Sequence, residues 1–321
     1  MINGDIKEIG GYIELEKSHG NEYHKSAIAL NSARHCIEYL ILSRKISKIF
    51  LPYFLCGCVA ELCNKCKCEY SYYNIDEQLL PVFNHELNEN EYILIVNYYG
   101  RLGLEEINQY KIQYKNIIVD NTQAFFDYPA EDVDTIYSCR KFFGVPDGGY
   151  LYTDSVLNLE LKQSLSFDKM EYLLGRFELD AQTFYGKSVE NNDRFSKEPL
   201  MKMSLLTHNL LSGMDYDFIK KRREENFMYL HNKLNKINKL GVKMVHGPFM
   251  YPLLVEKGEE IKSLLIQKKI YIPTLWPEVK EVMAENSLEC KYVKHIVALP
   301  VDQRYNAEDM EYVVKCLKQY L

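Results

Sequence analysis

Asn116-Ile-Ile-Val-Asp120-Asn-Thr-Gln123-Ala124, followed by Asp134-Thr-Ile-Tyr-Ser138-Cys-Arg-Lys141, decides how this chain is read. The first holds an unbroken apolar run, Ile117-Ile-Val119, the second a shorter one, Ile136-Tyr137, and both close on polar residues. Unbroken apolar runs of this length mark strands buried on both faces, and such strands belong to a parallel sheet covered by helices. The same reading extends outward to Lys48-Ile-Phe-Leu-Pro52, Glu69-Tyr-Ser-Tyr-Tyr73, Tyr92-Ile-Leu-Ile-Val-Asn97 and Gly149-Tyr-Leu-Tyr-Thr153. Helical patterns separate them at Ser32 to Ser43, with Ser32 or Asn31 as N-cap, and at Gly57 to Asn64. The pattern predicts an α/β fold, a large and mainly parallel sheet sandwiched by helices.

From about Ser204 the character changes. A charged helix is expected over Asp215 to Leu240, then a strand Phe249 to Val255, a helix Glu259 to Lys269 and a short strand Ile270 to Ile272. A strand His295 to Leu299 and a closing helix Ala307 to Leu321 complete a smaller C-terminal α/β domain. The expected division is 1–204 for the large domain and 205–321 for the small one. Leu159 to Leu211 is harder to parse, and its polar part, Lys187 to Pro199, reads as a loop serving as lid or interface arm.

The 321 residues are 47% hydrophobic, enough for a sizeable core in two packed domains. The net charge of −6 gives no electrostatic reason to expect nucleic acid or an anionic membrane as partner. The start, Met1-Ile2-Asn3-Gly4-Asp5, shows no basic and apolar leader pattern. No run of about eighteen apolar residues occurs, so no membrane span is expected and the chain reads as cytoplasmic. Of nine cysteines, five cluster at Cys56, Cys58, Cys63, Cys66 and Cys68. The Cys63/Cys66 pair lacks the distant second pair that a structural zinc site uses, so reduced thiols packed as small hydrophobes are preferred and no metal is expected.

Ligands of a doubly wound sheet bind outside the carboxyl ends of its strands. Here those ends carry Asn97, Asp120 and Ser138, with Lys141 three residues further on. Pyridoxal 5′-phosphate (PLP) needs such a set: a lysine to carry it as a Schiff base, and a carboxylate to keep its ring nitrogen protonated. It also needs donors near its phenolic oxygen, and a helix N-terminus with hydroxyls for its phosphate. Lys141 and Asp120 match the first two needs, Asn97 and Gln123 the third, and Ser32-Ala33 with Ser138 the last.

At these residues the chain resembles a known family. Asp120-Asn-Thr-Gln123-Ala124 is similar to the D-x-x-Q-A segment of the DegT/DnrJ/StrS sugar aminotransferases. Ser138-Cys-Arg-Lys141 with Gly148-Gly149 resembles the S-x-x-K and downstream glycine pair of the wider fold type I, or aspartate aminotransferase, superfamily. Asn31-Ser-Ala-Arg34, Phe50-Leu-Pro52 and Asn97-Tyr-Tyr-Gly100 fall in the expected order, and residues 28–155 carry the likeness.

The resemblance implies a PLP-dependent aminotransferase, with Lys141 as cofactor-bearing lysine and proton carrier. It implies Asp120 at the ring nitrogen, Gln123 beside the ring, and Ser32, Ala33 and Ser138 at the phosphate. Tyr53 or Phe54 is the candidate aromatic cover. It further implies an amino-acid donor such as glutamate, a keto-sugar acceptor linked to a nucleotide for surface polysaccharide or antibiotic synthesis, and a homodimer. The family's N-x-R segment is not recognisable; Asn192 and Arg194 are weak substitutes. Arg304 reads as a grip on a substrate carboxylate or as a surface arginine, and Trp276 as cleft lining or domain packing. Other PLP chemistry on the same fold, such as a dehydratase or lyase, and a non-catalytic relative stay open as alternatives.

Overall fold

Apolar residues on alternating sides of each central strand place this sheet between two hydrophobic layers. The computed structural model describes residues 9–320, so the Met1–Asp5 start and Leu321 lie outside the described residues. The strands are β1 (Ile28–Leu30), β2 (Lys48–Pro52), β3 (Glu69–Ile75), β4 (Pro81–Val82), β5 (Glu91–Val96), β6 (Ile117–Asp120), β7 (Asp134–Ser138) and β8 (Gly149–Tyr152). They form one eight-stranded sheet in the order β1-β8-β7-β6-β5-β2-β3-β4. The five strands from β3 to β7 in this order run parallel; β4, β8 and β1 pair antiparallel at the flanks. This is the mainly parallel sheet expected from the apolar runs.

Helix α1 (Ala33–Arg44) and α2 (Cys58–Cys66) cover one face, and α3 (Leu104–Tyr114) the other. Leu51, Leu94, Val96, Ile118 and Ile136 pack into the α1/α2 layer. Their strand neighbours Phe50, Ile93, Ile95, Ile117 and Val119 pack into the α3 layer. The alternation is the period of two that an extended backbone imposes.

After β8 the chain forms a helical hairpin, α4 (Glu171–Glu178) and α5 (Tyr185–Asp193). The expected Lys187–Pro199 loop is therefore helical in its first half, followed by a turn of 3₁₀ helix at Arg194–Ser196. Then come α6 (Leu205–Ser212) and α7 (Tyr216–Leu234), which stops short of the expected Leu240. Asn238 explains this end: its side-chain oxygen accepts from the backbone N–H of Leu240 and Leu254, turning the chain toward the next strand.

Strands β9 (Met250–Leu254) and β10 (Ile296–Pro300) pair antiparallel, with α8 (Gly258–Gln267), α9 (Val279–Val282), α10 (Leu288–His295) and α11 (Ala307–Leu317) around them. Phe227, Leu230, Tyr251, Leu253, Val297, Leu299 and Val313 build a second core there. Ile270–Ile272 is not a strand. The N–H of Ile270 closes the end of α8 on the carbonyl of Leu265, at 2.9 Å, so it is lost to any ladder.

Two glycines join α1 to the Lys141 turn. Gly148, at φ +115°, donates its N–H to the carbonyl of Asn31 and accepts from the N–H of Cys139. A Cβ on Gly149 would stand 2.5 Å from the backbone N of Ala33 and the carbonyl carbon of Ser32. Only glycine lets the first turn of α1 rest this closely on β8. Since Gly149 lies opposite Ser138 across β7 and β8, Ser138 is held beside the start of α1. Gly149→Ala should lower stability by about 1–3 kcal/mol through overpacking against backbone that cannot yield. A urea midpoint equal to that of the wild type would show that the contact is loose.

Candidate active site

Lys141 ends the 3₁₀ turn Cys139–Lys141, directly after β7. The next residue fixes that turn: the carbonyl of Phe142 accepts from Arg223 Nη2 at 3.1 Å and from Gln303 Nε2 at 2.9 Å. Arg223 is fully buried, lies 4.6 Å over the ring of Phe142, and also donates to the Pro248 carbonyl and Gln303 Oε1. Residues of the C-terminal region thus hold the backbone behind Lys141.

The side chain of Lys141 is open to a cavity of about 250 Å³. Arg140, Arg176, Arg223 and Arg304 border it, with Tyr172, Phe184 and Tyr185 as aromatic wall. Asp302 is the one carboxylate of the lining and is taken by Arg304 in a two-pronged pair at 2.7 and 2.9 Å. The ammonium of Lys141 is pushed below the ordinary lysine value, first by the surrounding protein and then by the charge of Arg140. Cys56, Cys58 and Asp120 act in the opposite direction. A lysine so placed releases its proton more readily than a free surface lysine.

Asp120 is two residues beyond Ile118 and shares its α1/α2 face. It is buried, accepts from the Thr122 N–H at 2.9 Å, and has no ion-pair partner within 4 Å among the described residues. Burial raises its carboxyl pKa; the Thr122 hydrogen bonds and Lys141 oppose this more weakly. A cationic ring N–H beside it would stabilise the carboxylate that burial disfavours, which is the partner a pyridinium offers.

Gln123 accepts the N–H of Tyr99 with Oε1 at 2.8 Å, and its amide N–H₂ has no protein partner among the described residues. That donor is open for a phenolic oxygen. The Ser138 hydroxyl is likewise unpaired, and the N–H groups of Ala33 and Arg34, in the first turn of α1, have no intrahelical acceptor. Ser32 differs. His35, held neutral by burial with a pKa near 4, must donate Nε2–H to the Glu198 carbonyl, so its Nδ1 accepts the Ser32 hydroxyl proton at 2.8 Å. Ser32 caps α1 and has no hydroxyl proton left for a phosphate. Lys141, Asp120, Gln123, Ser138 and the first turn of α1 fit PLP, with Ser32 withdrawn from its phosphate.

Four expected residues stand apart. Asn97 has the parity of Ile95, so it points to the α3 face, away from Asp120. Its amide is engaged by Leu102 and Asn121. Tyr53 stacks on Tyr72, with ring centres 4.7 Å apart. Phe54 is buried against Tyr98 and Trp276. Trp276 therefore packs across the two regions, 4.6 Å from Phe54, and Arg304 borders the cavity while bound to Asp302. Neither Tyr53 nor Phe54 lines the Lys141 cavity; the groups of that loop acting on Lys141 are Cys56 and Cys58. Arg140, Arg176, Tyr172 and Tyr185 were not singled out from the sequence. Three of them come from the α4–α5 hairpin, whose helical spacing is the signal that was available.

No family model matches the chain, and no curated protein sequence matches it. Solved structures do. The sugar aminotransferase CalS13 from Micromonospora echinospora is 12% identical at a TM-score of 0.61, over 92% of this chain and 88% of that one. A DegT DnrJ EryC1 StrS aminotransferase from Brucella abortus is 13% identical at 0.60, over 92% and 85%. NtdA from Bacillus subtilis, solved with bound cofactor PMP, is 15% identical at 0.61, over 91% and 72%. The chain has the fold of these enzymes, the fold type I architecture expected from its sequence.

The depressed amine gives a direct test. At about pH 8 an amine-directed acylating reagent should modify Lys141 faster than the other lysines, because more of it is neutral at a given pH. Peptide mapping that finds Lys141 no faster than exposed lysines would refute the electrostatic picture.

Proposed function

We propose that this chain is a PLP-dependent aminotransferase of the DegT/DnrJ/StrS type. The observation that carries the reading is that the neighbouring parallel strands β6 and β7 bring Asp120 and the turn of Lys141 to the same end of the sheet. Lys141 is an amine with a lowered proton affinity at the edge of a cationic cavity, and Asp120 is a buried carboxylate lacking a cation. When bound, the cofactor supplies an electron sink that lets a proton leave the amine-bearing carbon of a substrate.

The chain's residues do the rest. Lys141 Nζ would hold the cofactor, and its amine would take and return that proton. Asp120 keeps the ring nitrogen protonated. The free amide N–H of Gln123 donates to the phenolic oxygen, and the N–H groups of Ala33 and Arg34 with the Ser138 hydroxyl receive the phosphate. Arg223 and Gln303, through the Phe142 carbonyl, keep the lysine turn from shifting.

Substrates are read from the cavity and from the likeness together. Arg176 and Arg304 suit an anionic group, and Tyr172 and Tyr185 a flat one. These features support an amino-acid donor, glutamate by resemblance, and a nucleotide-linked keto sugar as acceptor, in surface polysaccharide or related biosynthesis. Phe167, Phe177 and Leu179, exposed by 76, 90 and 71% on and beside the hairpin, support a homodimer in which a second copy covers this face. The second core, confined to residues beyond 226, supports a smaller C-terminal unit, which the reading divides as 1–204 and 205–321; Leu211 and Ile219, just past that division, pack on the core of the large sheet. No described helix is long and apolar enough to cross a membrane, and a cytoplasmic location is the reading adopted.

The test is spectroscopic. PLP added to the protein should give a visible imine band that borohydride traps on Lys141, and Lys141→Ala should abolish it. An amino donor should bleach the band by leaving the amine form of the cofactor. A trapped imine elsewhere in the chain overturns the assignment of Lys141; a band that no donor bleaches leaves PLP binding but ends the aminotransferase reading.

A further inference from the structure

Asn97 follows β5 directly and is fully buried, on the sheet face opposite Asp120. It is nonetheless tied to the Asp120 segment. Its backbone N–H donates to the Asp120 carbonyl at 3.0 Å, and its Nδ2 donates to Asn121 Oδ1 at 3.0 Å. The same side chain holds the turn that follows it. Its Oδ1 accepts the N–H of Leu102 at 2.8 Å, and Nδ2 also reaches the Leu102 carbonyl at 3.4 Å. One amide therefore fixes the 97–102 turn against the 121–124 segment. Gly100 lies on that segment too: a Cβ there would stand 3.7 Å from Ala124 Cβ and from the Gln123 carbonyl oxygen.

The turn is strained. Tyr99 stands at φ 57°, ψ 22°, in the left-handed region, and Gly100 follows at φ 71°. Glycine adopts that region freely, whereas a bulky aromatic residue seldom does. Such a residue persists only where its surroundings over-determine it. Those of Tyr99 do: its side chain is buried, Asn97 closes the turn, and the Tyr98 hydroxyl anchors the preceding residue on the Phe54 carbonyl at 2.5 Å. The outcome is the direction of one N–H, which donates to Gln123 Oε1 at 2.8 Å. A backbone N–H can only donate, so it selects the oxygen end of the Gln123 amide. The N–H₂ end is turned the other way, without a protein partner among the described residues and not sealed from solvent.

We infer that Asn97 and Tyr99 are positioning residues for Gln123: Asn97 locks the turn, the turn aims the Tyr99 N–H, and that N–H makes the amide present its N–H₂ rather than its oxygen. That the presented N–H₂ meets the cofactor's phenolic oxygen rests on the PLP reading; the orientation of the amide does not. Asn97 then acts on the cofactor from the far face of the sheet, without touching it.

Two readouts test the two halves. In the protein without PLP, hydrogen exchange at the Tyr99 amide is followed by NMR. It should be slow in wild type and about 10-fold or more faster in Asn97→Ala and in Gln123→Ala, the scale of one lost hydrogen bond. With PLP, the imine band is titrated against pH. A donor on the phenolic oxygen stabilises its negative charge and weakens its hold on the imine proton, so losing the donor raises the proton affinity of the imine. Gln123→Glu should raise it about tenfold, and Asn97→Ala should raise it in the same direction. Tyr99→Gly keeps the N–H and suits the left-handed backbone, so it should raise it less than Asn97→Ala does.

A Tyr99 amide that exchanges as fast in wild type as in Asn97→Ala overturns the inference whatever PLP does. An imine titration unaltered in Gln123→Glu or in Asn97→Ala overturns it while leaving PLP on Lys141. If wild type forms no imine but the Tyr99 amide keeps a protection that Asn97→Ala removes, the positioning stands and the PLP reading falls. Should Asn97→Ala fail to fold by circular dichroism, Gln123→Ala decides the exchange comparison. Tyr99→Gly then decides the titration, where a proton affinity as high as that of Gln123→Glu overturns the inference.

Discussion

Backbone meets backbone where α1 begins. The start of that helix lies against Gly149 so closely that a single methyl group would not fit. This approach sets the distance between two things made far apart in sequence, the donors at 33–34 and the turn that carries Lys141. β8 sits between them and is paired to both, to β1 on one side and β7 on the other. Asn31 extends the same clamp: its carbonyl binds Gly148, and its side chain binds the backbone of Pro199 and Met201. The hairpin segment thereby returns to the helix start it left behind.

The large-sheet architecture was legible because parallel strands buried on both faces read as near-continuous apolar runs. β7 and the centres of β2, β5 and β6 lie where their runs predicted. What was legible of the site followed from the same rule, since ligands gather at the ends of such strands. What was misread is a matter of parity. Asn97 and Asp120 both end strands, but successive side chains face opposite ways. Counting back to Ile95 and Ile118 separates them, and that count was available in the sequence. The aromatic cover was misread for a different reason. Tyr53 and Phe54 have partners, Tyr72 and Trp276, that come from elsewhere in the chain. No local pattern encodes such a meeting. Ile270–Ile272 failed similarly: strand-like residues were claimed first by a helix end.

Electrostatically the molecule is divided. Its total charge is −6, yet the cavity beside Lys141 is walled by arginines with one carboxylate among them. Long-range charge would therefore repel an anion weakly, while the local field draws it in once it arrives. The same field acts on Lys141, where Arg140 favours the neutral amine. Asp120 faces the opposite bias, since burial favours its protonated form. Both groups are displaced from their ordinary values in the direction that an incoming cationic ring and an anionic phosphate would reverse.

The α4–α5 hairpin supplies much of the cavity wall, but no residue of α4 is buried and only Asn191 of α5 is. It belongs to neither hydrophobic core. Mutational change there carries little penalty for folding, because few packed atoms are disturbed. The start of α1, by contrast, rests on Gly149 with no room for a methyl group. Selection is thus free to rewrite what the enclosure admits while the α1–β8 contact stays as it is, and related chains should diverge fastest over residues 171–193.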